Sequence, residues 1–159
     1  MIPGAASLPP NGAFEGVAAD AQGRIYTLPE DEAPAEAGAG ASAILRLVDG
    51  RWSRFALIPR PRRWSPVALD FDDAGRLYVL ERNATLPLGF ASRLTRYAVG
   101  PSGLSAPEPV LRTTVGRHGN LEGVSIWRDE GGRIIATMVG DDDFMPFRAT
   151  TLVEYALPD

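Results

Sequence analysis

The chain contains no cysteine, no lysine and a single histidine among its 159 residues. Without cysteine there are no disulfides, thiol nucleophiles or thiolate metal sites, and the redox compartment cannot be inferred. One histidine excludes a histidine-based zinc site unless carboxylates or another chain complete it. All 16 basic residues are arginine and the net charge is −4, a balance that disfavours capture of nucleic acid or of an anionic membrane surface. No apolar run is long enough to span a bilayer. The first residues, MIPGAASLPPNG, lack both the basic and the apolar segment of a secretory signal. No stretch keeps helical periodicity over the roughly 10 to 12 residues an ordinary helix needs. Neither a phosphate-cradling loop nor a dinucleotide glycine fingerprint is present. No Gly-x-Ser-x-Gly elbow accompanies His118, which reads as a loop residue within Gly116-Arg117-His118-Gly119-Asn120.

What is present is a repeated hairpin. Phe14 to Ala18 and Arg24 to Leu28 flank a turn at Asp20-Ala21-Gln22-Gly23, and Pro66 to Phe71 and Arg76 to Leu80 flank Asp72-Asp73-Ala74-Gly75. Asn120 to Trp127 and Arg133 to Val139 flank Asp129-Glu130-Gly131-Gly132. Each turn glycine is followed by arginine and an aliphatic residue, and Gly23, Gly75 and Gly132 lie 52 and 57 residues apart, close to the period of propeller blades. With 45% hydrophobic residues the chain can bury a core, and residues 1–159 read as a single domain.

Between the hairpins, Ala43 to Val48, Trp52 to Ile58, Arg93 to Val99, Val110 to Val115 and Thr151 to Leu157 supply further strands. The expectation is an all-β, propeller-like chain of about 11 strands in three four-stranded blades, the last lacking its outer strand. Residues 1 to 12 read as a peripheral linker or edge, residues 32 to 43 as a small-residue surface loop, and Pro59 to Trp64 as a link between blades.

The richest repeat is the third. If its two runs pair, the open end of the hairpin brings Asn120 and Glu122 close to Asp141, Asp142 and Asp143, and acidic oxygens gathered there suit a hard cation or general acid–base work. Glu122, Asp141 and Asp142 are therefore the candidate catalytic residues. Arg82, Arg93 and Asn120 are candidate substrate contacts, although Glu81-Arg82 with Arg93 also suits an ion pair between strands.

The runs FEGVAADAQGRIYTLPE, ALDFDDAGRLYVLER with GFASRLTRY, and NLEGVSIWRDEGGRI with DDDF and LVEYALP resemble the phytase-like family, described as having esterase-like activity of phytase. The resemblance implies a β-propeller, usually in an exported bacterial protein and hence periplasmic or secreted, with phosphoesterase activity on a small-molecule ester or phosphate ester. It also implies that this chain is the C-terminal half of a ring, completed by a missing N-terminal half or by a homodimer. Asp143 departs from the family's usual Asp-Asp-Asn-Phe. On a propeller, Glu15 and Glu122 would point toward one axis, either to hold Ca²⁺ or another divalent cation with Asp142 or to cap backbone amides of neighbouring blades. The alternatives to a metal-assisted phosphoesterase are a lactonase-like sugar-acid hydrolase and a non-catalytic binding or assembly module.

Overall fold

A computed structural model describes residues 13–29, 40–143 and 149–159. Among these residues there are thirteen strands in four antiparallel sheets and no helix, so no helix is long and apolar enough to cross a membrane. The first sheet runs in chain order through β1 (Phe14–Ala19), β2 (Ile25–Pro29), β3 (Ala41–Val48) and β4 (Arg51–Pro59). The second takes β5 (Ser65–Phe71), β6 (Leu77–Thr85) and β7 (Gly89–Tyr97). A two-stranded ribbon, β8 (Val99–Gly100) with β9 (Gly103–Leu104), intervenes before β10 (Glu108–Arg112) completes the second sheet beside β7. The third sheet is β11 (Asn120–Arg128), β12 (Ile134–Asp141) and β13 (Thr151–Ala156). The expected four, four and three strands are all present, and the ribbon is additional. The outermost strand of the second sheet ends at Arg112 instead of Val115, and β3 begins at Ala41, inside the expected loop. The linker of residues 1 to 12 and most of the alanine-glycine loop lie outside the described residues.

One local device builds the three inner hairpins. Gly23, Gly75 and Gly132 have φ of 73°, 76° and 79°, a left-handed conformation that glycine adopts without steric cost. Each glycine N–H donates to the carbonyl of the aspartate three residues earlier, at 2.9, 3.0 and 2.9 Å. The aspartate side chain then captures the next strand. Asp72 Oδ1 accepts from the Ala74 and Arg76 N–H groups, and its Oδ2 accepts from Arg76 Nε at 2.6 Å and from the buried Tyr78 hydroxyl at 3.1 Å. Asp20 repeats this with Gln22, Arg24 and Tyr26. Asp129 repeats it with Arg133 but lacks the tyrosine, because Ile135 stands in that place. Tyr26 and Tyr78 stand directly across from Arg46 and Arg96 on the third strand of their sheets, whereas Ile135 faces Ala156. The third sheet thus has neither the tyrosine nor the arginine at these positions.

Burial opposes ionisation of Asp20 and Asp72, but the arginine, backbone and tyrosine hydrogen bonds outweigh it and hold both carboxyls below the ordinary value of 3.8. Their contribution to stability is therefore present above about pH 4 and lost as the pH falls through the lowered values.

The middle sheet is buried on both faces. Leu69, Leu77 and Val79 pack with Tyr26, Leu28 and Ile44 of the first sheet. The alternate residues Ala68, Tyr78 and Leu80, with Val67 at a break in register, pack with Leu121, Ile126 and Met138 of the third. This is why β6 reads as the continuous run Leu77-Tyr78-Val79-Leu80 instead of alternating with polar residues. The innermost strands lie side by side. A Cβ on Gly16 would meet Ala68 Cα and Leu69 N at 3.0 Å, so β1 and β5 approach at backbone distance only because this residue is glycine. On the other flank Asp70 Oδ2 accepts from the Ile126 N–H at 2.7 Å, tying β5 to β11.

Side-chain exposure of the turn carboxylates is 4% at Asp20, 2% at Asp72 and 17% at Asp129. Asp72→Ala strands the Tyr78 hydroxyl and the Arg76 guanidinium and should cost about 2–3 kcal/mol in urea denaturation. Asp129→Ala should cost much less, and equal losses at the two turns would contradict this account.

Candidate functional site

All three inner hairpins carry a bulge at the end opposite the turn, where one residue of the first strand is skipped: Glu15, Val67 and Glu122. Bulges re-aim side chains at strand ends. The hairpins differ in length, however. Glu15 and Val67 lie five residues before their turn aspartates and Glu122 lies seven before Asp129, so the third hairpin has two more residues in each strand. At about 3.4 Å per residue this lifts Glu122 roughly 7 Å further along the strand.

At this raised end, Asn120 is 3% exposed and organises its neighbours. Its Nδ2 donates to Glu122 Oε1 at 2.7 Å and to Asp143 Oδ1 at 2.8 Å. Arg82, from the adjacent end of β6, donates through Nη1 to Asn120 Oδ1 at 2.6 Å and to Glu122 Oε1 at 2.5 Å. Asp141 is the cross-strand partner of Asn120, and its Oδ1 accepts from the Asp143 N–H at 3.1 Å. Asp143 adopts φ of 53°, a left-handed conformation that aspartate and asparagine tolerate better than other non-glycine residues, so the departure from asparagine preserves the backbone. Carboxylate oxygens of Glu122, Asp141 and Asp143 all lie within 4.8 Å of one another, a grouping that could hold a metal ion.

Of the residues singled out by sequence, the structure brings Glu122, Asp141, Asn120 and Arg82 together. Asp142 stands outside the carboxylate trio and Asp143 takes the place expected of it, because the chain turns after β12 and Asn120 Nδ2 and Asp141 Oδ1 bind the Asp143 side chain and amide. Glu15, exposed on β1 of the first sheet, is also outside the trio. Arg93 lies directly across from Glu81 and grips it with two bonds of 2.7 and 2.6 Å, while Thr95 donates to the same carboxylate. Glu81 is 2% exposed, so this ion pair is part of the interior. The Pro59 to Trp64 link is also built into the fold. Arg60 donates to the Trp64 carbonyl and to Ser65 Oγ, and the buried Trp64 ring carries the guanidinium groups of Arg93 and Arg112 at 4.6 and 5.5 Å.

Beside the trio opens a cleft of about 400 Å³, lined in part by Phe90, Arg117, His118, Asp141, Thr151 and Val153. Asp141 thus belongs to both the trio and the cleft wall. His118 Nε2 lies 2.6 Å from the Tyr155 hydroxyl, and the two rings meet edge to face with centroids 5.8 Å apart. Burial, and secondarily the positive charge of Arg117, hold the His118 pKa below its ordinary 6.5. Sequence reading placed this histidine in a loop, which is correct, but Tyr155 lies 37 residues away and the pairing depends on strand register.

Residues 1–144 match the sequence profile of the family described as Phytase-like: Esterase-like activity of phytase, and the chain belongs to that family. A search of curated proteins gives no significant match. A crystal structure described as a protein of unknown function from Dyadobacter fermentans DSM 18053 superposes with a TM-score of 0.49 at 14% identity. The alignment covers 89% of this chain and 40% of that one, so the present chain spans less than half of that protein's length.

Asn120→Ala would free both carboxylates from their shared amide and leave Arg82 short of an acceptor. A loss of about 2–3 kcal/mol in chemical denaturation is expected, since a buried amide with several partners is removed. A change below about 0.5 kcal/mol, the range of an ordinary surface substitution, would show that Asn120 does not organise the cluster.

Proposed function

We propose that the protein is a metal-assisted hydrolase of esters or phosphate esters, working where the acidic trio meets the cleft. The observation that carries this reading is Asp141, which lies in the carboxylate group and in the cleft wall at once. The donor set suits a hard divalent cation such as Ca²⁺: three carboxylates, offset by one guanidinium. Glu122 commits Oε1 to Arg82 and Asn120, which fixes its orientation and leaves Oε2 for a ligand; Asp141 commits Oδ1 to the Asp143 amide and leaves Oδ2. Such an ion, when bound, would supply positive charge to polarise the ester oxygen. The chain's own residues orient these carboxylates, shape the cleft, and place Arg117 where it can meet an anionic part of the substrate.

Calorimetric titration with Ca²⁺ and Mg²⁺, followed by turnover of 4-nitrophenyl phosphate, 4-nitrophenyl acetate and a sugar lactone, tests this function. Metal-dependent cleavage of an ester is expected, with cation affinity falling more than about tenfold in Glu122→Gln and Asp141→Asn and unchanged in Glu130→Gln. Equal binding by all three variants rejects the metal role. Turnover of the lactone alone redirects the chemistry to a lactonase, and metal binding without any turnover leaves a binding module.

The propeller reading is supported by three successive sheets built on equivalent hairpins, with β1, β5 and β11 adjacent at the inner edge. We read them as blades of a ring that a second copy of the chain completes. Among the described residues β13 is an edge strand of a sheet one strand shorter than its two neighbours, and such edges favour association. Sedimentation should give a dimer, and a monodisperse monomer with cooperative unfolding at low concentration removes the need for a partner.

A further inference from the structure

The sequence reading assigned proton transfer to carboxylates, yet the oxygens that Arg82, Asn120 and the Asp143 amide leave open, Glu122 Oε2 and Asp141 Oδ2, are those the cation would take, and the same cleft holds a neutral nitrogen base. Resting on the hydrolase reading above, we propose that His118 is the proton-transfer base of the cleft and that Tyr155 is the positioning residue that fixes its tautomer. The two side chains come from separate elements, the loop after β10 and the edge strand β13, and meet at 2.6 Å. The charged and titratable groups at the imidazole are Arg117 on its own loop and Tyr155 on β13; the start of β7 lines the same cleft with Gly89 and Phe90, which do not titrate, and Asp141 of β12 lies elsewhere in its wall. With a pKa below 6.5 the ring is neutral at pH 7 and one nitrogen carries a lone pair. We assign the proton to Nε2, donating to the Tyr155 oxygen, so that Nδ1 keeps the lone pair.

The step balances without any further reagent. A water proton passes to Nδ1 as the water oxygen bonds to the acyl carbon or phosphorus. The bond from that atom to the alcohol oxygen breaks, and the departing alkoxide takes the proton from the imidazolium, which returns to its neutral form. Tyr155 holds Nε2 throughout and transfers no proton.

Because His118 is the only histidine in the chain, its ring signals in proton NMR report its protonation without assignment ambiguity. In the full-length protein its midpoint should lie below 6.5, and the acid limb of kcat/KM on 4-nitrophenyl acetate should follow it. A hydrogen bond donated by Nε2 favours the imidazolium, so Tyr155→Phe should move both the midpoint and the limb to lower pH. Arg117→Gln should move both upward, since it removes a neighbouring positive charge. His118→Ala and His118→Asn should each lower kcat by about 100-fold or more, with Ca²⁺ affinity and circular dichroism retained. An active parent whose kcat survives both His118 substitutions overturns the base and leaves the hydrolase reading standing. So does a limb that does not follow the NMR midpoint. A parent that cleaves no ester or phosphate ester overturns the hydrolase reading, and the base falls with it.

Discussion

Each inner hairpin depends on a short side chain that bridges a turn to the strand beyond it. Asp20, Asp72 and Asp129 each accept the amide and guanidinium of the arginine four residues later, and two of them also accept a tyrosine hydroxyl from the core. The carboxylate thus joins three levels of structure: it closes a loop, starts the second strand in a fixed register, and satisfies a polar group that packing would otherwise leave stranded. The cost of desolvating the aspartate is met within the same unit, so the motif can be repeated along the chain without outside support. The third copy shows what is dispensable, because it keeps the turn and the arginine while an isoleucine replaces the tyrosine.

The middle sheet turns these repeated hairpins into one body. It presents alternate residues of β5 and β6 to the sheets on either side, so both flanks are specified by a single stretch of sequence. Arg96 adds a longer reach: buried at 5% exposure, it grips Glu108 and donates to the carbonyls of Pro158 and Asp159, fastening the end of the chain to the second sheet. With the turns at one end fixed by aspartate, the opposite ends of the strands are where irregularity is tolerated. The bulges, the acidic trio and the cleft all lie there.

Much of this was legible in the sequence because turn chemistry is local. The Asp and Gly-Arg signature located all three inner hairpins, and strand count followed from the lengths between them. The ribbon of β8 and β9 was missed, since two-residue strands have no alternation to detect. The proximity of Asn120, Glu122 and Asp141 was legible because a hairpin's open end must bring its two ends together, whereas the approach of Arg82 from β6 depends on how the second and third sheets pack. The choice between Asp142 and Asp143 required knowing that the strand ends at Asp141 and that a left-handed turn swings Asp143 back to Asn120. Glu15 and Glu122 share the words Glu-Gly-Val, but hairpin length, which those words do not encode, separates their surroundings. His118 and Tyr155 belong to segments whose meeting is set by the β12–β13 register and by the course of a loop.

The extra length of the third hairpin has an evolutionary reading. Side chains on a strand alternate with a period of two, so adding one residue to each strand would exchange the faces of everything beyond the insertion. Adding two to each preserves every inward and outward assignment while moving the tip along the strand axis. A lineage of repeated hairpins can therefore change how far a functional tip projects in paired steps without redesigning the interior below it. Glu122, Asn120 and Asp141 stand one such step above their counterparts in the other two hairpins. In this way one of three near-identical units can acquire chemistry while its siblings remain scaffold.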